Sequence, residues 1–319
     1  MTASRTQTTS AEADSRPRDG IIQNVCRAIV EPGGEGLLKL LRDVYYGADR
    51  DALAVRASEG SVEQCVQLSL LRERQGRLSL TRMGYLVGNL AKEYCNWIDH
   101  GRHMPPPRPP DSFVRGKDVL DLGCSFGRWL WEFQTAARSA VGLERQWEYI
   151  ELGRALAHRE GIVVPDIKNG AAEDLDRHIA PSSVDLVFSR LVFNHVDIRK
   201  TLRKVRETLR AGGTIWLQVE SIAAPIRELT RGERRLRSRA FAGFALLNSA
   251  VCVTTGHQLA LPVPGRMHEL HRPAYPTVQW WKRALCAAGF DGFRRVDSAG
   301  TLAFYAVRSA SKRTVSGLM

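Results

Sequence analysis

The 319-residue chain lacks any apolar run long enough to span a membrane. Its longest, Phe241 to Val253, is interrupted by Asn248 and Ser249 and falls short of the roughly 18–20 residues a bilayer requires. The opening residues, MTASRTQTTSAEADSRPRDG, contain no apolar h-region, which argues against a secretory leader. None of the six cysteines, at 26, 65, 95, 124, 252 and 286, stands in a C-x-x-C pair or at zinc-site spacing. That excludes a disulfide scaffold and a zinc module; no metal is expected, and the scattered thiols suit a reducing, cytoplasmic compartment. Acidic residues are the minority among the charges, 34 against 46 basic, for a net charge of +12. Such a balance can draw nucleic acid, acidic membrane surfaces or anionic substrates, and the compositional bias of a GC-rich genome produces it equally well. With 44% apolar and 25% charged residues, the chain can bury a substantial globular core.

Residues 1–18 have little to bury and read as a disordered tail. From 19 to 102 the texture is helical, with breaks at Pro32-Gly33-Gly34 and Gly47. The stretch GLLKLLRDVYYG has apolar pairs at helical spacing, and Ser61 with Gln64 forms a capping box that opens the helix SVEQCVQLSLLRE. Then RERQGRLSLTRMGYLVGNLAKEY reads as a strand, a turn at Gln75-Gly76, a second strand, and a helix from near Thr81. Helix, hairpin and helix in that order suit a winged-helix module, and a plain helical bundle suits them too. Residues 103–110 are proline-rich and read as a linker.

Over residues 111–311 strand and helix signals alternate. Strands are expected at Asp118–Leu122, Ala140–Leu143, Val184–Phe188 and Thr214–Val219, with helices at Arg128–Arg138, Trp147–Glu160 and Ile198–Arg210. A further helix, Thr277–Ala288, precedes a closing strand pair near Phe293 and Leu302–Val307. The alternation implies βαβ units in an α/β, doubly wound, mainly parallel sheet. Between them residues 221–275 form an insertion, with the basic run RGERRLRSR at Arg231–Arg239 and the Pro- and His-rich LPVPGRMHELHRP.

The first strand ends in VLDLGCSFGRW, where Gly123-Cys124-Ser125-Phe126-Gly127 reads as G-x-S-x-G. A serine nucleophile elbow carries that pattern, but it sits on a central strand with acid and histidine partners in fixed loops. Here VLDLG is the first strand of its sheet, and Asp185 and His257 stand in no such context. A cofactor cradle fits better. Asp121 precedes the turn, two glycines bracket it, and AVGL ends in Glu144, a carboxylate at the tip of the next strand able to take two ribose hydroxyls. Ser125 and Arg128 replace the second and third glycines of a dinucleotide fingerprint, which disfavours a pyrophosphate.

The series VLDLGCSFG, VGLE, VDLVFS and LRAGGTIWL, in this order and spacing, resembles the class I S-adenosylmethionine-dependent methyltransferases over roughly residues 113–308. The resemblance implies a Rossmann-like fold, S-adenosyl-L-methionine as cofactor, and a small-molecule acceptor. By the family pattern Asp121 holds the cofactor's amino group, backbone at Gly123, Cys124, Ser125 and Gly127 packs on it, and Glu144 with neighbouring Arg145 meets the ribose. Ser189 and Arg190 line the methionine side. Where the family often has Gly-Asp this chain has Gly170-Ala171, so adenine recognition shifts to Glu173 or to backbone. The helical N-terminal region resembles the dimerising domain of some small-molecule O-methyltransferases, which implies a homodimer.

Transfer to an acceptor that must lose a proton needs a base, and His195 and His257 are the candidates, with His268 and His271 behind them. The insertion stands where this family builds a lid. Two other readings stay open. One is an RNA methyltransferase, supported by the basic positions of IRKTLRKVRETLR, although no N-P-P-Y-type tetrapeptide follows the fourth strand. The other is a winged-helix DNA-binding regulator that senses the cofactor.

Overall fold

The computed structural model describes residues 16–47, 59–74, 77–104, 106–230, 236–263, 266–296 and 301–310. The expected tail before residue 16, the Gln75-Gly76 turn and the first five residues of the basic run lie outside them. The chain divides into two compact units. One comprises residues 1–103 with 147–164, the other residues 104–146 with 165–319.

The first unit carries helices Arg16–Val30, Gly34–Tyr45 and Glu59–Gln67, the hairpin β1 (Leu71–Arg74) and β2 (Arg77–Leu80), and helix Arg82–Asp99. The hairpin is antiparallel. Helix Glu59–Gln67 stops earlier than its sequence pattern suggests because Ser69 turns left-handed at φ 56° and releases Leu71 into β1. Thr81 caps the long helix by accepting from Gly84 N at 3.0 Å. Gly84 is required there, since a Cβ would stand 1.8 Å from the Leu70 carbonyl oxygen. Helix Trp147–Glu160 completes this unit: Asn89 Nδ2 donates to Tyr149 Oη at 3.1 Å, Arg159 Nη1 to the Ile29 carbonyl at 2.8 Å, and the Tyr94 hydroxyl to Glu160.

The second unit is built on a seven-stranded sheet. Its strands are β3 (Asp118–Leu122), β4 (Ser139–Glu144), β5 (Asp166–Asn169), β6 (Val184–Arg190), β7 (Leu209–Glu220), β10 (Phe290–Val296) and β11 (Thr301–Arg308), in the order β10-β11-β7-β6-β3-β4-β5. Neighbours are parallel from β7 to β5, and β11 runs antiparallel to both β7 and β10. Strand order reverses between β3 and β6, which opens a crevice at their carboxyl ends, the place where such sheets hold ligands.

Aromatic side chains fill both faces of the sheet. Trp129 and Phe133 of helix Arg128–Ala136 meet Phe188 with ring centroids 4.7 and 5.3 Å away. Trp281 of helix Val278–Ala287 packs on Phe193 and Phe304 at 5.9 and 5.4 Å. The insertion is largely ordered as helices Ala223–Thr230 and Leu236–Thr255 and the antiparallel pair β8 (Leu261–Val263) and β9 (Arg266–His271). Buried amides stitch it in place. Asn194 accepts from Glu220 N at 2.7 Å and donates to the Ala274 carbonyl at 3.0 Å; Asn248 accepts from Leu259 N and donates to the Pro273 carbonyl. Among the described residues no helix is long and apolar enough to cross a membrane.

Candidate functional site

The carboxyl end of β3 runs straight into the glycine turn. Gly123 (φ 76°), Ser125 (φ 53°) and Gly127 (φ 86°) are all left-handed, so the backbone doubles back before helix Arg128–Ala136 begins. Only glycine fits at 123, because a Cβ would stand 2.1 Å from Val192 Cγ2. The neighbouring strand makes room in the same way: a Cβ on Gly142 would come 2.5 Å from Cys124 Sγ.

Two carboxylates face this turn. Glu144, at the tip of β4, accepts from Ser125 N at 2.9 Å and from Gln146 N at 2.8 Å, so each oxygen fixes one backbone amide. Burial raises its pKa, and those two amides oppose the rise. Asp121 is 1% exposed, and its Oδ2 is buried without a hydrogen-bond partner. Burial pushes this carboxyl up to about 8; the Glu144 charge adds to the rise, while Arg128 and Arg190 oppose it. Ser189 donates its hydroxyl to the Leu122 carbonyl at 2.9 Å, joining β6 to the start of the turn.

The opposite, amino end of the sheet shows what a purely structural carboxylate looks like here. Asp118 and Asp185 are bridged by Arg138 and Arg210; Arg210 Nη1 stands 2.8 and 3.0 Å from them. Both carboxyls are held below their ordinary values, Asp118 chiefly by Arg138, and Asp185 by the Asp118 amide and Arg210 against the cost of burial. A buried carboxyl whose Oδ2 has no hydrogen-bond partner and whose pKa is raised by burial marks this turn as a candidate ligand site.

Residues 119–213, from β3 into β7, match the sequence model of a family described as a methyltransferase domain. The match covers under a third of the chain. Among curated proteins, the uncharacterized methyltransferase YcgJ of Bacillus subtilis is 27% identical over 100 residues, which make up 31% of this chain and 39% of that protein. The match therefore spans well under half of the curated relative. Among solved structures, YcgJ from the same bacterium shares a TM-score of 0.44 at 14% identity, covering 62% of this chain and 94% of its own. An S-adenosylmethionine-dependent methyltransferase from Mesorhizobium loti gives 0.43 at 19% identity, covering 63% and 94%.

The other expected residues divide. Glu173 lies in the 3-10 turn Ala172–Arg177 and accepts from Asp197 N at 3.2 Å. Gly170 lies under His178, whose Nε2 would be 2.2 Å from any Cβ there. Arg145 is exposed beside Glu144. His195 Nδ1 is bonded to His271 Nε2 at 2.7 Å, a pair that no spacing in the sequence announces. Burial, the partner ring and Arg145 lower the His195 pKa to about 3; burial and Arg145 lower that of His271 as well, so both rings are neutral near pH 7. His257 is exposed beyond helix Leu236–Thr255, and the side chain of His268 lies outside those described.

The elbow reading of Ser125 finds no support in this geometry. Asp185 is at the far end of the sheet and His257 is on the surface; the amide of Ser125, not its hydroxyl, is the engaged group. Ser125→Ala keeps that amide and is expected to change cofactor affinity by no more than about 0.5 kcal/mol. Stoichiometric labelling of Ser125 by a serine-directed phosphonate would sink this account.

Proposed function

We propose that the protein is an S-adenosylmethionine-dependent methyltransferase acting on a small molecule. The observation that carries the reading is the orphaned Asp121 Oδ2, buried beside a glycine turn and a carboxylate at the next strand tip. A ligand with an ammonium group and a ribose satisfies all three features at once. Asp121 takes the amino group, Glu144 uses its remaining lone pairs for the ribose hydroxyls, and backbone from Gly123 to Gly127 lies against the ligand. Ser189 and Arg190 border the methionine end. Arg145 and Glu173 stand at the adenosine end, Glu173 with one oxygen already committed to Asp197 N.

The cofactor supplies a methyl group on a sulfonium, and the protein's contribution is to align and enclose the acceptor. For an acceptor that must shed a proton His195, held by His271, is the candidate base ahead of exposed His257, although the burial that lowers its pKa to about 3 makes the ring a weak base in the ligand-free site. The RNA reading loses ground on helix Ile198–Thr208. Lys204 is spent on Asp176 at 2.7 Å, Lys200 lies 3.5 Å from Asp174, and Leu202 and Val205 are buried. A homodimer through the N-terminal helices belongs to the same proposal.

Calorimetry with S-adenosylhomocysteine, the demethylated product, tests the cofactor assignment. Asp121 is largely protonated in the free protein at pH 7, since its pKa is about 8. An ammonium beside it favours the carboxylate, so binding should release a proton. The expected result is micromolar-range affinity, strengthening from pH 6 to 7.5, with a heat that depends on the buffer's ionisation enthalpy. Heat with NAD and none with S-adenosylhomocysteine would remove the proposal.

A further inference from the structure

Helix Leu236–Thr255 turns its polar groups inward and its apolar groups out. From Ala240 to Gly256 the chain carries no charged residue, and the amide and hydroxyl side chains that precede Thr254, those of Asn248 and Ser249, are both buried. Each is satisfied within the insertion. Asn248 donates to the Leu259 and Pro273 carbonyls at 3.0 and 2.8 Å; Ser249 donates to the Ala245 carbonyl at 2.6 Å and accepts from Tyr275 N at 2.9 Å. Ala242, Ala245 and Cys252 are buried with them.

The outer side is a different surface. Ala240, Phe244, Leu247 and Val251 recur at four-, three- and four-residue spacing and so share a face. Leu247 is 58% exposed, Ala240 and Ala250 are exposed, and Phe244 and Val251 are half-buried. Ile226 of the neighbouring helix Ala223–Thr230 and Ile222 just before it are exposed too. A helix that is apolar all round is ordinarily hidden, and a surface helix ordinarily shows water its polar stripe. This helix does neither, which marks its outer face as a docking surface.

Charge selects the occupant. Residues 221–275 contain eight arginines and three glutamates, with no lysine or aspartate. Arg239, one residue before the apolar stripe begins, and Arg227 of the neighbouring helix are both exposed. A second copy docked by a two-fold axis would present the same patch and set arginine against arginine. A bilayer with anionic headgroups offers phosphates to the arginines and acyl chains to the stripe between them.

We propose that the outer face of helix Leu236–Thr255 docks the protein on an anionic phospholipid bilayer. The helix is not long and apolar enough to cross a membrane, so it lies in the plane of the interface. Phe244, Leu247 and Val251 enter the boundary between headgroups and acyl chains, and Arg227 and Arg239 stay among the phosphates. Because Asn248 and Ser249 tie the inner face to Leu259, Pro273 and Tyr275, the insertion is held on the surface as one piece. The proposal needs no cofactor and stands apart from the methyltransferase reading.

Flotation of the full chain with phosphatidylcholine vesicles, with and without phosphatidylglycerol, provides the test. Binding should be at least tenfold tighter when phosphatidylglycerol is present and should fall as salt rises. Leu247→Glu should weaken it at least tenfold, and Phe244→Ser provides a milder change if the charged variant fails to fold. Arg239→Glu should weaken binding to the anionic vesicles alone. Val163→Ser, which removes an apolar residue 77% exposed in the other unit, should leave binding within twofold. No binding to the anionic vesicles overturns the proposal, as does binding that neither Leu247→Glu nor Phe244→Ser alters, which would be adsorption by net charge alone. A dimer in sedimentation velocity that Leu247→Glu dissolves would assign the face to a second copy instead.

Discussion

Asp121→Asn is expected to raise the melting temperature of the ligand-free protein at pH 8 by several degrees and to weaken S-adenosylhomocysteine at least tenfold. The folded-state pKa of Asp121 is about 8, against 3.8 for an unperturbed aspartate. Below pH 4 the carboxyl is protonated in both folded and unfolded chains. Above it the unfolded chain ionises while the buried group resists, so the folded state loses stability as the pH rises from about 4 to about 8. One pKa unit is worth about 1.4 kcal/mol, and the value of about 8 already includes the opposing charges of Arg128 and Arg190, so the loss at pH 8 is on the order of 5 kcal/mol. Asparagine keeps the shape, never ionises, and removes the slope. Thermal melts of both proteins from pH 5 to 8 check this, and parallel curves would refute it. The same change deprives the ammonium of its counter-charge, so stability and binding should move in opposite directions.

Glu144→Ala should lower stability by about 2–4 kcal/mol and weaken S-adenosylhomocysteine by about 3–4 kcal/mol, several hundredfold, since a charged hydrogen bond contributes about 1.5–3 kcal/mol. The effect on stability comes from the bonds to Ser125 N and Gln146 N at 2.9 and 2.8 Å. Ser125 holds a left-handed backbone without being glycine, and Glu144 is what secures it there. Alanine leaves two amides unpaired in the cradle before any ligand arrives. Glu144→Gln keeps acceptor oxygen for one of them and should lose roughly half as much. Calorimetry and denaturant melts separate the two losses; unchanged binding in the alanine variant would mean that the ribose lies elsewhere.

The strands around this site were legible because burial and alternation coincide there. VLDL is buried from Val119 to Leu122, and the glycines at 123 and 127 sit where the backbone must reverse. β5 escaped notice because only Ile167 of its four residues is buried, which leaves no apolar pattern to read. The insertion looks like an interruption in the sheet rhythm, yet its helices and hairpin are held by Asn194, by Asn248 and by Gln258, whose Nε2 donates to the Val196 and Arg272 carbonyls at 3.0 and 3.1 Å. The one hint was available: Asn248 and Ser249 break an otherwise apolar run, and buried amides are seldom placed without partners. The bond between His195 and His271 spans 76 residues, beyond the reach of any local periodicity.

Helix Trp147–Glu160 joins β4 to β5, yet it belongs to the unit formed by the first 103 residues. On a growing chain those residues emerge without the helix that completes them. Asn89, Tyr94 and the Ile29 carbonyl find Tyr149, Glu160 and Arg159 only after β3, the glycine turn and β4 have been made. The first unit is thus the earlier to be synthesised and the later to be finished, and its closure is tied to the appearance of the strands that carry Asp121 and Glu144. A gene fragment ending at residue 103 would encode a fold missing one of its own helices.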